Sequence, residues 1–165
     1  MTPADQPAVA HGTFRIERRY DASPARVFRA WSDPVAFRRW FAEAPGATIQ
    51  EWTHDFRVGR QGGGLYRFGG PDVDPGFNDT RFLDIVEGRR IILSYVMGHE
   101  RGGERRRDSA SLATIELAPD GRGTRLFYTE QGAYFGDDGA AHIPLREEGC
   151  AEMLGNLARE LEMNP

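Results

Sequence analysis

The sequence predicts an α+β fold, a curved antiparallel sheet wrapped around a long C-terminal helix, with two short helices between the first and second strands. Three observations predict it. From Leu145 to Met163, the residues Cys150, Met153, Leu154, Leu157, Ala158 and Leu161 recur at steps of three, one, three, one and three, the stripe of a helix with one apolar side. Six strand-like stretches separated by glycine-rich or charged turns fill the middle of the chain. Near the front, Ser23-Pro24 and Asp33-Pro34 each pair a capping side chain with a proline suited to the first helical position.

Residues 1–11 are polar, small and proline-bearing and read as a flexible leader, so that a single domain is expected over 12–165. In FRIERRY, Phe14 and Ile16 alternate with Arg15 and Glu17, the period of a half-buried strand. SPARVFRAW follows, with Val27, Phe28 and Trp31 at helical spacing. SDPVAFRRWF repeats the device, and Val35, Trp40 and Phe41 are expected to supply its apolar side. Strands are expected at 48–57, 63–69, 79–87, 90–98, 109–118 and 123–133, with EGRR and PDGRG as hairpin turns. The closing helix carries Glu147, Glu148, Glu152, Arg159 and Glu162 on its other side, so its stripe needs an apolar partner. The concave face of a twisted sheet is the surface wide enough.

The chain of 165 residues is long enough to form a core without staples, and its 39% hydrophobic and 28% charged content is that of a globular protein. The longest apolar run, Ile91–Leu93, is too short to span a bilayer, and no signal or transit peptide is evident, so cytoplasmic residence is expected. One cysteine cannot form an internal bridge. All 21 basic residues are arginine against 25 acids, so the net charge of -4 gives no general attraction to nucleic acid. RGGERRRD, Arg101–Asp108, is a local exception: it reads either as a phosphate-touching patch or, preferred because strand-like sequence flanks it, as a solvated hairpin tip.

The run GRQGGG, Gly59–Gly64, raises the question of a phosphate loop. Such a loop leads into a helix and usually carries a lysine, whereas this one leads into the strand-like LYRF in a chain without lysine. The glycines therefore read as a tight strand-to-strand connection, with a second use in letting backbones approach. His11, His54, His99 and His142 show no zinc-binding spacing, so no metal and no cofactor is expected. No serine sits in GxSxG, and Cys150, on the apolar stripe, reads as packing rather than as a nucleophile.

Polar residues inside apolar strands are the chemical candidates: Asp84, Glu116, Glu130, and His54 with Asp55. Any that points inward needs a partner, for which Arg57, Arg67, Arg81 or Arg125 are available, or it can stand beside Tyr66, Tyr95 or Tyr128 to orient a ligand or move a proton. Phe82 and Val86 share the face of Asp84 while Leu83 and Ile85 occupy the other, so alternation leaves the facing of Asp84 open.

Four passages, FRIERRYDASPARVFRAWSDPVAFRRWF, HDFRVGRQGGGLYRF, RFLDIVEGRRIILSYVM and GTRLFYTEQGAYF with the terminal helix, resemble the helix-grip (START/Bet v 1-like) fold of the START-like superfamily. The likeness is strongest to the branch related to the activator of Hsp90 ATPase and to polyketide cyclase-like proteins, and it covers Gly12–Met163. It implies a cavity between sheet and last helix that takes apolar molecules, and it names no reaction. One departure is that many relatives begin the last helix with glycine followed by tryptophan, where this chain has Gly149 followed by Cys150.

The expected function is binding of a small apolar or aromatic ligand, with the candidate lining residues Trp52, His54, Tyr66, Phe68, Phe82, Asp84, Tyr95, Met97, Tyr128, Glu130, Cys150 and Leu154. Two alternatives stand beside it. One is a polyketide cyclase-like or hydrolase-like enzyme using Asp84, Glu130 or His54 as acid or base. The other is a co-chaperone that works through its outer surface, with RGGERRRD as its patch. The resemblance also allows a homodimer.

Overall fold

A computed structural model describes residues 8–43 and 45–165. Seven antiparallel strands, β1 (Val9–Tyr20), β2 (Ala47–His54), β3 (Gln61–Phe68), β4 (Gly76–Val86), β5 (Arg90–Arg101), β6 (Glu104–Asp120) and β7 (Gly123–Phe135), form one sheet in the order β1-β7-β6-β5-β4-β3-β2. Helices α1 (Pro24–Ser32) and α2 (Pro34–Phe37) lie between β1 and β2, and α3 (Gly139–Met163) closes the chain. This is the expected α+β helix-grip arrangement. Among the described residues no helix is long and apolar enough to cross a membrane.

The front of the chain departs from expectation at its start. Val9, Ala10 and His11 pair with Phe135, Tyr134 and Ala133, so the last three residues of the expected leader belong to β1. Of the remainder of that leader, Ala8 accepts from the Gly136 amide at 2.9 Å, and 1–7 lie outside the described residues. Phe14 and Ile16 are buried between exposed Arg15 and Glu17. The Ser23 hydroxyl accepts from the Arg26 amide at the head of α1, and Asp33 Oδ1 accepts from the Val35 and Ala36 amides at 2.9 Å each at the head of α2. After Phe37 the helix widens into a π turn, Arg38–Ala42. Phe37 and Trp40, three residues apart on one helix face, are buried, and the expected Val35, five residues before Trp40 and so off that face, stands 63% exposed. Trp40 Nε1 donates to the Ala30 carbonyl at 2.8 Å, tying the two helices together.

The glycine run divides between connection and strand: Gly59, with φ +81°, lies in the turn, and β3 begins at Gln61. Residues 55–60 make the turn, while Gly62, Gly63 and Gly64 sit inside β3, paired with β2 on one side and β4 on the other. Gly63 has φ +106°, and a Cβ there would lie 1.9 Å from the Asn78 carbonyl oxygen, so only glycine fits. RGGERRRD is the β5–β6 hairpin tip, with Gly102 and Gly103 turning the chain. Part of its charge is met locally: Arg105 bonds Glu100 at 2.8 Å, Arg101 lies 3.7 Å from Asp74 and Asp108 lies 2.9 Å from His99, while Arg106 and Arg107 are exposed.

Helix α3 begins six residues before the expected Leu145. Pro144 lies inside it and removes only the bond to the Ala140 carbonyl, on a turn whose Ala140, Ala141 and His142 are exposed to water. Cys150, Leu154, Leu157 and Leu161 are buried along the expected stripe. They pack against β1, β7, α1 and the π turn, so the helix covers one half of the concave face. Three polar ties hold it there: the Tyr20 hydroxyl donates to the Leu154 carbonyl at 3.0 Å, Arg26 Nη2 donates to the Leu161 carbonyl at 2.8 Å, and Arg39 Nη2 bonds Glu160 at 2.5 Å.

Two glycine substitutions should move stability in opposite directions. Gly63→Ala is expected to cost about 2 kcal/mol or more through backbone strain and clash. Gly155→Ala, in helix α3 where an added Cβ meets nothing within 4 Å, is expected to add about 0.5–1 kcal/mol. Urea unfolding midpoints of the two variants against the parent check both signs.

Candidate functional site

Because α3 lies over the β1/β7 side, the inward side chains of β2 to β5 face a cavity of about 860 Å³, within the range of small-molecule sites. Strand alternation sets its wall: Trp52 and His54 from β2, Tyr66 and Phe68 from β3, Asn78, Thr80 and Phe82 from β4, and Leu93, Tyr95 and Met97 from β5. Trp31, Phe37 and Phe41 close one end, and Leu145, Arg146, Gly149, Cys150 and Met153 of α3 form the roof with Tyr128 beneath. Phe68 and Leu145, 52% and 61% exposed, stand at the rim.

The structure brings Trp52, His54, Tyr66, Phe68, Phe82, Tyr95, Met97, Tyr128 and Cys150 to this wall, and it leaves three of the candidate lining residues off it. Leu154 is fully buried in the core beneath α3. Glu130, also fully buried, sits one inward step beyond Tyr128 on β7 and touches the cavity only through its partners. Asp84 is on the outer surface: a bulge between Phe82 and Asp84 resets the alternation, so Ile85 rather than Asp84 follows Phe82 inward. Its carboxylate pairs with Arg90 at 2.8 Å and is 41% exposed. Of the other strand acids, Asp55 pairs with Arg57 at 2.6 Å and Glu116 is exposed.

One end of the cavity is polar. Arg146 Nη1 donates to the Tyr95 hydroxyl at 2.9 Å and to Glu130 Oε1 at 3.2 Å, and Nη2 donates to the Ser109 hydroxyl at 2.8 Å. The Tyr128 hydroxyl and the Cys150 thiol donate to Glu130 Oε2 at 2.9 and 3.5 Å. The guanidinium also lies over the rings of Tyr95 and Tyr134. Burial opposes the charge on Arg146, yet neighbouring Tyr95 and Glu130 outweigh it and hold its pKa above the ordinary value. Burial pushes the Tyr95 and Tyr128 phenols well above their ordinary value and the Cys150 thiol up to about 12.

The opposite end is an aromatic box. His54 stacks on Phe37 with centroids 4.2 Å apart, and its Nε2 lies 2.9 Å from the Trp31 carbonyl. A carbonyl only accepts, so Nε2 carries the proton. Burial lowers the His54 pKa, the bond to Trp31 offsetting part of that, and the ring is held neutral.

Arg146 is the functional residue that the strand pattern misses. The candidate partners for Glu130 were strand arginines, whereas its partner comes from α3. The signal was present, since Arg146 stands four residues before Cys150 on the same side of the helix. Asn78 lies one residue ahead of the expected start of β4, Trp31 enters the sequence reading only as part of a helical stripe, and Phe37 is not among the residues expected on the apolar side of the second helix.

No protein with a curated description matches the chain. Among solved structures, the Mll3558 protein from Rhizobium loti is similar at 43% identity and a TM-score of 0.81, covering 93% of this chain and 99% of that one. A protein from Rhizobium leguminosarum is 34% identical with a TM-score of 0.85, covering 96% and 99%. DynU16, a protein of the dynemicin biosynthetic locus, is 16% identical with a TM-score of 0.63, and this chain spans 47% of its length, so the likeness there is one of fold. The model of the activator of Hsp90 ATPase homolog 1-like protein family matches residues 21–162, and the chain belongs to that family.

Proposed function

We propose that the protein binds a small apolar or aromatic molecule in the cavity between the sheet and α3. The observation that carries this reading is a space of about 860 Å³ walled mostly by aromatic and aliphatic side chains, with a single buried ion pair at one end. The polar groups of the Arg146 end support binding over catalysis, and at the other end the His54 proton is engaged by the Trp31 carbonyl. Acid–base work near neutrality needs groups that titrate there, and burial moves Tyr95, Tyr128 and Cys150 away from it. The co-chaperone reading draws less support, because its candidate patch is one hairpin tip in which Arg105 is already met by Glu100 and Asp79 and Arg101 by Asp74.

Native mass spectrometry of protein purified from its own host, followed by extraction, is expected to show a bound small molecule. A variant that fills the space provides the control. Leu93 is half-buried on β5 with its side chain on the cavity wall, so Leu93→Trp is expected to fold and to lose the bound mass. Retention of the same ligand by this variant would place binding elsewhere.

The thiol gives a second check. With its pKa raised to about 12 by burial, Cys150 is expected to react with iodoacetamide only slowly from neutral to mildly alkaline pH and rapidly once urea unfolds the chain. Fast modification of the native protein at neutral pH would contradict the burial of this residue.

A further inference from the structure

We infer that the ligand presents an uncharged oxygen acceptor, a ketone or amide carbonyl, to Arg146, and not a carboxylate. The inference rests on the cavity-binding reading and concerns the head group alone. Arg146 stands at the polar end of the cavity with Glu130, which is fully buried, compensating its charge at 3.2 Å. A ligand carboxylate at this end would set two negative charges against one guanidinium in an interior that solvates neither, and an uncompensated buried charge is costly.

Of the polar groups that line the cavity, several donors are left without a partner among the described residues. Arg146 gives Nη1 to Tyr95 and Glu130 and one hydrogen of Nη2 to Ser109, while Nε makes no bond among the described residues. Asn78, only 6% exposed, has Oδ1 occupied by the Thr80 hydroxyl at 2.5 Å, and its amide nitrogen makes no bond among the described residues. The Tyr66 hydroxyl is likewise without a bond there and lies close enough to Arg146 to feel its charge. Tyr66 and Asn78 stand on the adjacent strands β3 and β4 and line the same cavity as Arg146. A hydrocarbon would leave these donors unsatisfied, whereas a carbonyl oxygen accepts from them and adds no charge.

Three probes of one size separate the alternatives: acetylnaphthalene, naphthoate and ethylnaphthalene, titrated into the full chain by calorimetry. The ketone is expected to bind about tenfold tighter than the hydrocarbon, as a bond to a charged donor allows, and naphthoate weakest of the three. In Arg146→Met/Glu130→Gln, which removes the ion pair together so that no lone charge is stranded, the ketone's advantage over the hydrocarbon should disappear. Tightest binding by naphthoate, equal binding of ketone and hydrocarbon, or an advantage surviving in the double variant would each overturn the head-group inference and leave the cavity reading in place. Failure of all three probes to bind would remove both. Should the double variant not fold, the ranking on the parent protein decides.

Discussion

Everything about the site follows from where α3 is seated. Its stripe of Cys150, Leu154, Leu157 and Leu161 is buried against β1, β7 and the π turn, and the Tyr20, Arg26 and Arg39 bonds hold it to that side. A helix of this width cannot also cover β2 to β5. The uncovered half of the sheet still carries inward aromatics, because a strand paired on both sides presents every second residue to the concave face. A sheet too wide for its one long helix therefore produces an apolar hollow without any further device.

The polar end of that hollow is set by the same seating. Arg146 and Cys150 lie one helical turn apart, so burying Cys150 swings the guanidinium inward, over Tyr95 and toward Glu130. Glu130 in turn occupies an inward position of β7, where a carboxylate without a partner would be severely destabilising. Each makes the other tolerable, and with Tyr128, Ser109 and Tyr95 filling the remaining bonds the cluster is held in one arrangement. Rigidity of this kind suits recognition more than proton transfer, for its hydroxyl and thiol members are held in their neutral forms.

Element order and the apolar side of α3 were legible in the sequence because both rest on periodicity, which burial enforces. What escaped was whatever breaks or adds to periodicity. The bulge at Leu83 turns Asp84 outward while Phe82 stays inward, and no residue type at that point announces it. Phe37 is a case that periodicity does reach: it lies three and four residues before Trp40 and Phe41 and shares their face, whereas the expected Val35 does not and stays exposed. Arg146 was passed over because a charge on a helix is normally read as facing water. Its position four residues before a buried cysteine was the better guide. The close backbone approach expected of the glycine run is met at Gly63 and Gly64, against the carbonyls of Asn78 and Glu51, while the strand starts at Gln61, two residues earlier than the pattern shows, because glycines carry no alternation to read.

Two glycines remain that no backbone demand explains. Gly149 and Gly155 lie inside α3, neither has the positive φ that glycine alone tolerates, and an added Cβ at either would touch nothing within 4 Å. In a helix interior each costs up to about 1 kcal/mol relative to alanine. Close packing does not require them, as it does Gly63. Both stand on the part of α3 that borders the cavity, Gly149 exposed and Gly155 half-buried. The helix there gains no packing from them, so its hold on the sheet rests on the buried stripe of Cys150, Leu154, Leu157 and Leu161 and on the Arg146 cluster, and the cavity roof is the least stabilised stretch of α3.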